Sequence, residues 1–313
     1  MTSVKEFLSL LSPAQFREYF MPLLLLCGGF GASFLLTPLS IHLSYLYRIV
    51  DNPGGRKKHA TPTPKGGGLA LWGAFVLYML LRREFTFFDA LLLSGATLIF
   101  VVGYGDSIFP MPPLLRLGIH LFASALVVYT QDFSVFSGLI VLLWLAGCTS
   151  AYNNIDGING LCLSLGGINF FLAFFFAPAP GWFYLLGMCA GVLLWNFPNA
   201  QTFLGDGGST LLGFLWGTLI FHHSGMMERL DSMSPPEMVA VLCLVGGLPV
   251  FDTLCSVFRR VARRKSPFLP DRGHFHYALY DRGFSLLKVL GILLPIHAFL
   301  VFSGLFWLYS KTI

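Results

Sequence analysis

The chain has 313 residues, 55% hydrophobic and only 11% charged, with a mean hydropathy of +0.72 and a formal net charge of +5. A soluble domain carries about 25% charged residues, so this composition excludes a soluble globular protein and predicts an all-α polytopic membrane protein. The excess of Lys and Arg is loop charge, which orients membrane spans. It implies no nucleic-acid partner.

Residues 1–20 read as a short lead-in without a signal-peptide cleavage site, and residues 21–313 as a single integral-membrane domain. Within it, apolar segments fall at residues 21–46, 67–81, 88–102, 114–129, 135–149, 160–176, 182–195, 209–221, 238–257 and 286–309. A spanning helix needs roughly 17–25 apolar residues. Several segments are shorter, so about ten transmembrane helices are expected, some extending into their polar flanks. The odd-numbered connections between spans hold most of the twenty Lys and Arg, among them Arg56, Lys57, Lys65, Arg116 and Arg259 to Lys265. By the positive-inside rule these connections are cytoplasmic and both termini lie outside. The six cysteines sit in or beside apolar segments without metal-type spacing and read as small buried residues.

The same connections carry the polar clusters. The first holds Arg56-Lys57-Lys58-His59 and then Gly66-Gly67-Gly68 opening a helix. Cations and free helix N–H groups can bind phosphate, although basic residues also serve simply as positive-inside anchors. The next cluster is Gly103-Tyr104-Gly105-Asp106-Ser107; a carboxylate at a span end is paired, hydrated or bound to a cation. Asn153-Asn154-Ile155-Asp156-Gly157-Ile158-Asn159-Gly160 offers oxygen ligands of the kind that suit Mg²⁺. In the stretch from Asn196 to Ser209, Asp206 stands between Gly205 and Gly207-Gly208, either as a Mg²⁺ ligand beside a phosphate or as a helix cap. The last cluster joins Asp252, Arg259-Arg260, Arg263-Arg264-Lys265 and Asp271-Arg272-Gly273-His274-Phe275-His276. Its arginines suit a diphosphate or a lipid phosphate, or anionic headgroups. Its His-x-His has no third His or Cys at zinc-site spacing.

A transporter would be expected to place polar groups near the bilayer midplane. Here they gather at one face, which suits an enzyme joining a water-soluble substrate to a lipid-borne one.

Taken in order, the five clusters resemble the polyprenyl-phosphate N-acetylhexosamine-1-phosphate transferase family, which initiates peptidoglycan, O-antigen and other surface glycans. The resemblance runs from about Asp51 to Ser285 and includes Leu114-Leu115-Arg116-Leu117 and Pro249-Val250-Phe251-Asp252-Thr253. It implies a fold of ten or eleven helices with a cytoplasmic cleft in the bacterial inner membrane. The implied reaction is transfer of a sugar 1-phosphate from a UDP-N-acetylhexosamine to undecaprenyl phosphate, with Mg²⁺ (or Mn²⁺) as cofactor and UMP as the other product. By resemblance, Asp206 and Asn153 hold the metal, Asp106 positions the lipid phosphate and Asp156 lies beside the nucleotide phosphates. Phe203 stacks on uracil, Asn159 and Asn196 contact uridine, and Lys57, His59, His274 and His276 contact phosphate or sugar. Membrane lipids are the other partners, and a homodimer is compatible with such a chain.

Three positions depart from the family pattern. Ser107 replaces the usual second Asp, Asn159 replaces the usual bacterial Asp, and Tyr277 stands where relatives often have another His. The Arg-Lys-x-His loop and short His-x-His resemble the surface-polysaccharide initiators more than the peptidoglycan enzyme, whose donor is UDP-N-acetylmuramoyl-pentapeptide. That enzyme, an inactive paralogue and a transporter are the alternatives.

Overall fold

Each expected apolar segment is a helix in the computed structural model, which describes residues 13–53, 61–222, 226–268 and 272–311. In chain order they are α1 (Pro13–Leu46), α2 (Gly67–Leu80), α3 (Phe87–Asp106), α4 (Pro113–Val128), α5 (Val135–Ile155), α6 (Leu161–Phe176), α7 (Gly181–Asn196), α8 (Gly205–His222), α10 (Pro235–Ala262) and α12 (Leu286–Ser310). Two short helices, α9 (Met226–Asp231) and α11 (Phe275–Tyr280), interrupt connections that the sequence reads as loops. A two-stranded ribbon pairs β1 (Val50–Asp51) antiparallel with β2 (Thr63–Pro64). Helix α1 starts inside the stretch expected as a lead-in.

Among the described residues, five helices (α1 from Phe20, α3, α5, α10 and α12) are long and apolar enough to cross a membrane, while α2, α4, α6 and α7 are apolar but shorter. At about 1.5 Å of rise per residue, the short ones fall below the roughly 30 Å of a hydrocarbon core. The molecule is a multi-pass, all-α membrane protein.

Local chemistry fixes the helix ends. Thr86 and Asp89 form a reciprocal capping box at the start of α3, as Ser234 and Glu237 do for α10. Each pair satisfies two N–H groups that a helix start leaves without partners. Asp89, buried among apolar neighbours, also binds Arg82.

Helix α8 is the axis of the bundle. Every residue from Gly207 to Phe221 is buried, as expected of a helix that is apolar all round. It packs on α2, α3, α5 and α6. Glycines along α8 permit this: a Cβ on Gly207 would lie 2.9 Å from the Phe100 carbonyl of α3, and one on Gly213 2.8 Å from the Cys148 carbonyl of α5. A Cβ on Gly208 would lie 2.7 Å from the Gly68 Cα of α2. Helices α1 and α7 use the same device, with Gly187 and Gly191 pressed on the backbone of Leu26 and Phe30, a small-xxx-small contact suited to lipid surroundings.

Helix α10 breaks at Gly247, whose φ of 61° lies in the left-handed region, just before Pro249. The break frees the Leu248 N–H, which donates to His297 Nδ1 of α12 at 3.2 Å. His297 Nε2 meets Asn169 Oδ1 at 2.9 Å, and Asn169 in turn donates to the Tyr152 hydroxyl. One buried polar chain thus ties α5, α6, α10 and α12 together, and it leaves His297 a partner on each ring nitrogen.

Candidate active site

The site forms where α3, α5 and α7 end and α2, α6 and α8 begin. Its framework is a set of backbone cross-links between the loop before α2 and the loop before α8. Phe203 N–H donates to the Pro64 carbonyl (2.8 Å), Gly67 N–H to Phe203 O (3.0 Å) and Gly68 N–H to Leu204 O (2.9 Å). Buried Thr202 completes the seam, its Oγ1 accepting from Gly66 and Gly67 N–H at 3.0 and 3.1 Å. Gly205, at φ 72°, turns the chain into α8 in a conformation that favours glycine, and Asp206 follows in the first helical turn.

Asp206 and Asp106 meet because α3 and α8 touch backbone to backbone: a Cβ on Gly103 would lie 2.8 Å from both Asp206 O and Gly207 Cα. The two carboxyl groups are close enough to share a hydrogen bond when one is protonated, and Lys65 and Arg116 both act on Asp206 through their charge. Asp106 is held on both oxygens, by Met111 N–H (2.5 Å) and by the Arg116 guanidinium (2.5 Å). Ser107 is the residue that caps the end of α3.

Asn153 rides the last turn of α5, and its Oδ1 accepts from Ser209 Oγ of α8 at 2.9 Å. Asp156 follows the end of that helix. It keeps some accessible surface, yet the protein packed around it and then the charge of Asp206 push its carboxyl up to about 7, while Lys65 pulls it down. The acidic groups therefore run in the order Asp156–Asp206–Asp106, with Lys65 beside the first two and Arg116 bound to the last.

The remaining expected residues surround this row. Asn196 is buried, its Oδ1 accepting from Gly160 N–H (2.6 Å) and its Nδ2 donating to Thr202 O (2.9 Å). Its whole amide braces two loops. Asn159 Nδ2 donates to Pro198 O at 3.0 Å. Phe203 is half-buried on the seam described above. Lys57 and His59 lie outside the described residues.

His274 and His276 are brought in by α11. Asp252, buried on α10, accepts from His274 Nδ1 at 2.7 Å and from Phe275 N–H at 2.9 Å. His276 is fully buried and both its ring nitrogens lack a hydrogen-bond partner. Burial first, then the nearby His274 and Arg272, hold it down to about 4 against the pull of Asp252. It presses on Gly157, where a Cβ would collide with its Nε2, so this histidine faces the Asp156 loop.

Three residues hold places in this arrangement that the sequence reading did not single out, Arg116, Ser209 and Asp252, and Lys65 figured there only as one of the first loop's basic residues. Arg116 had a signal, a cation ten residues past Asp106 opening the next helix. The others depend on contacts between elements distant in sequence.

Oxygen donors in this row suit Mg²⁺ in one specific way. Among the described residues, no three His, Cys, Asp or Glu side chains close around a point as a complete cage would require. Mg²⁺ binds through one or two carboxylates and completes its shell with water and substrate phosphate, which Asp206 and Asn153 would allow. The repulsion between Asp156 and Asp206, which Lys65 offsets only in part, fits a site built to meet further positive charge.

The model of glycosyl transferase family 4 matches residues 90–223, from α3 to the end of α8. The chain is 26% identical to a probable undecaprenyl-phosphate N-acetylglucosaminyl 1-phosphate transferase of Bacillus subtilis, over 88% of this chain and 83% of that protein. It is 27% identical to the undecaprenyl-phosphate alpha-N-acetylglucosaminyl 1-phosphate transferase of Thermotoga maritima, over 83% and 82%. A decaprenyl-phosphate N-acetylglucosaminephosphotransferase of Mycolicibacterium smegmatis is 28% identical over 78% and 71%. The matched family segment contains Asp106, Asn153, Asp156 and Asp206, and the relatives align over most of both chains, so the chain is similar to glycosyl transferase family 4 across the part that holds its acidic groups.

Proposed function

We propose that the protein transfers N-acetylglucosamine 1-phosphate, or that of a closely related N-acetylhexosamine, from its UDP-sugar to undecaprenyl phosphate. The reaction releases UMP and leaves a lipid-diphosphate-sugar, the first intermediate of a surface glycan such as an O-antigen. The active site faces the cytoplasm of a bacterial inner membrane. The observation that carries this reading is the row Asp156–Asp206–Asp106, bracketed by Lys65 and Arg116, at one end of an apolar bundle. The relatives described above, N-acetylglucosaminyl 1-phosphate transferases acting on undecaprenyl phosphate, suggest the sugar and the lipid.

Phosphoryl transfer asks a protein for alignment and charge stabilisation more than for covalent chemistry. Asp206 and Asn153 would hold Mg²⁺, which when bound neutralises the donor diphosphate. Arg116 fixes Asp106 as an oriented carboxylate at the acceptor end of the row. There it positions the lipid phosphate, which is itself ionised near neutral pH and needs no strong base. Asp156 lies at the nucleotide end. Phe203 offers a ring to uracil, and Asn196, by bracing Gly160 and Thr202, keeps that wall in place. The Asp252–His274 pair anchors α11 so that neutral His276 closes the site beside Gly157.

Purified protein in detergent with undecaprenyl phosphate, Mg²⁺ and a panel of UDP-sugars tests the reading. UMP release is expected with UDP-N-acetylglucosamine or a close relative. UMP release only from UDP-N-acetylmuramoyl-pentapeptide would reassign the enzyme to peptidoglycan synthesis, and none with any donor would refute the proposal.

A further inference from the structure

Lys65 is fixed in place more firmly than a loop lysine needs to be. Its own N–H donates to Ile49 O at 3.1 Å, and the next two N–H groups are bound by Thr202 Oγ1. Its Cβ would lie 3.4 Å from a Cβ on Gly205, so the side chain departs from beside Asp206. Its Nζ stands 3.8 Å from Asp51 Oδ1 of β1, with both side chains partly open to solvent (25% and 17%). An ammonium–carboxylate hydrogen bond is typically about 2.7–2.9 Å long. Asp51 therefore steers the ammonium without saturating it. The field of the same ammonium reaches Asp156 and Asp206, at the opposite end of the acidic row from Arg116.

We propose that Lys65 binds the phosphate of the departing UMP, with Asp51 as its positioning residue; this rests on the function proposed above. In that reaction an oxygen of the lipid phosphate forms a bond to the sugar-linked phosphorus. The bond from that phosphorus to the bridging oxygen breaks, and its electron pair stays on the oxygen, which leaves as part of the UMP phosphate. Negative charge grows there, beside three carboxylates that repel it. A fixed cation at the nucleotide end offsets that repulsion when the charge develops, which is where electrostatic assistance lowers a barrier. Arg116 cannot serve this phosphate, because it is bound to Asp106 at the acceptor end.

Calorimetric titration of the purified protein with UMP and with uridine, in EDTA, tests the assignment. The wild type is expected to bind UMP about ten-fold more tightly than uridine, a difference of about 1.4 kcal/mol. Lys65→Met should lose that preference while binding uridine as before, and Lys65→Arg should keep it. Unchanged uridine affinity also reports that the variant is folded; if Lys65→Met loses it, Lys65→Gln provides the same comparison. A UMP preference undiminished in the neutral variants would overturn the proposal and leave Lys65 as a counter-ion to the carboxylates. A wild type that binds neither compound would refute the uridine-nucleotide function itself, and this assignment with it.

Discussion

Asp156 shows how a residue can serve the site at the expense of the fold. Its carboxyl is raised from the ordinary 3.8 to about 7 by burial and by Asp206, so the folded protein holds a proton that the unfolded chain has released. The charge therefore opposes folding above pH 7, and this penalty fades as pH falls through 7 toward 4. Asp156→Asn should raise the melting temperature of the metal-free protein by a few degrees at pH 8. The gain should shrink below pH 7 and vanish near pH 4, as thermal melts in detergent with EDTA would report. A gain independent of pH would contradict this origin. Asp206→Asn should lower the rate of UMP release by about 10²–10³-fold, the scale of losing one well-placed electrostatic contact. The individual carboxylates were legible in the sequence because each breaks an apolar pattern. Lys65 was legible only as one basic residue of a loop that could bind phosphate or anchor the span, since its place beside Asp206 comes from loops more than a hundred residues apart.

Among the elements, α8 decides whether the row exists. Its entry runs Gly205-Asp206-Gly207-Gly208, and the two glycines after the aspartate are the faces on which α3 and α2 close. Gly207→Ala or Gly208→Ala should cost about 1–3 kcal/mol, as overpacked sites do, and should separate Asp206 from Asp106. Lower thermal stability together with reduced transfer is the expected result. The anchoring of α11 is the second such device. Asp252→Ala removes the partner of a buried pair and should cost about 3–5 kcal/mol; Asp252→Asn, which can still accept from Phe275 N–H, should cost less in a thermal melt. Hydropathy located the long helices because each spans a continuous apolar run. It missed α9 and α11, each six residues long, because one or two helical turns leave no periodic trace. The break in α10 had a written signal, Gly246-Gly247 before Pro249, but its direction is set by His297 from another helix.

For the whole molecule, charge and chemistry lie on the same side. The row, the ribbon and α11 are all built from connections that hold most of the cations, and the positive-inside rule predicts that those connections face the cytoplasm. A fusion at the C-terminus should thus give active alkaline phosphatase and dark green fluorescent protein; the reverse pattern would invert the topology. One-sided clustering was visible from the order of the spans alone. What the sequence did not contain was the convergence itself: that Thr202 would lock the loop before α2 to the loop before α8, or that Asn196 would spend its amide on bracing. Those contacts join elements that only the three-dimensional packing brings together.

In the proposed reaction a sugar 1-phosphate moves, and not the sugar alone. UDP-N-acetylglucosamine labelled in its sugar-linked phosphate, incubated with the purified protein, undecaprenyl phosphate and Mg²⁺, tests it most directly. The label should pass into the lipid product while unlabelled UMP is released in equal amount, and both should slow by about 10²–10³-fold with Asp206→Asn. Label retained in a released UDP would contradict the account.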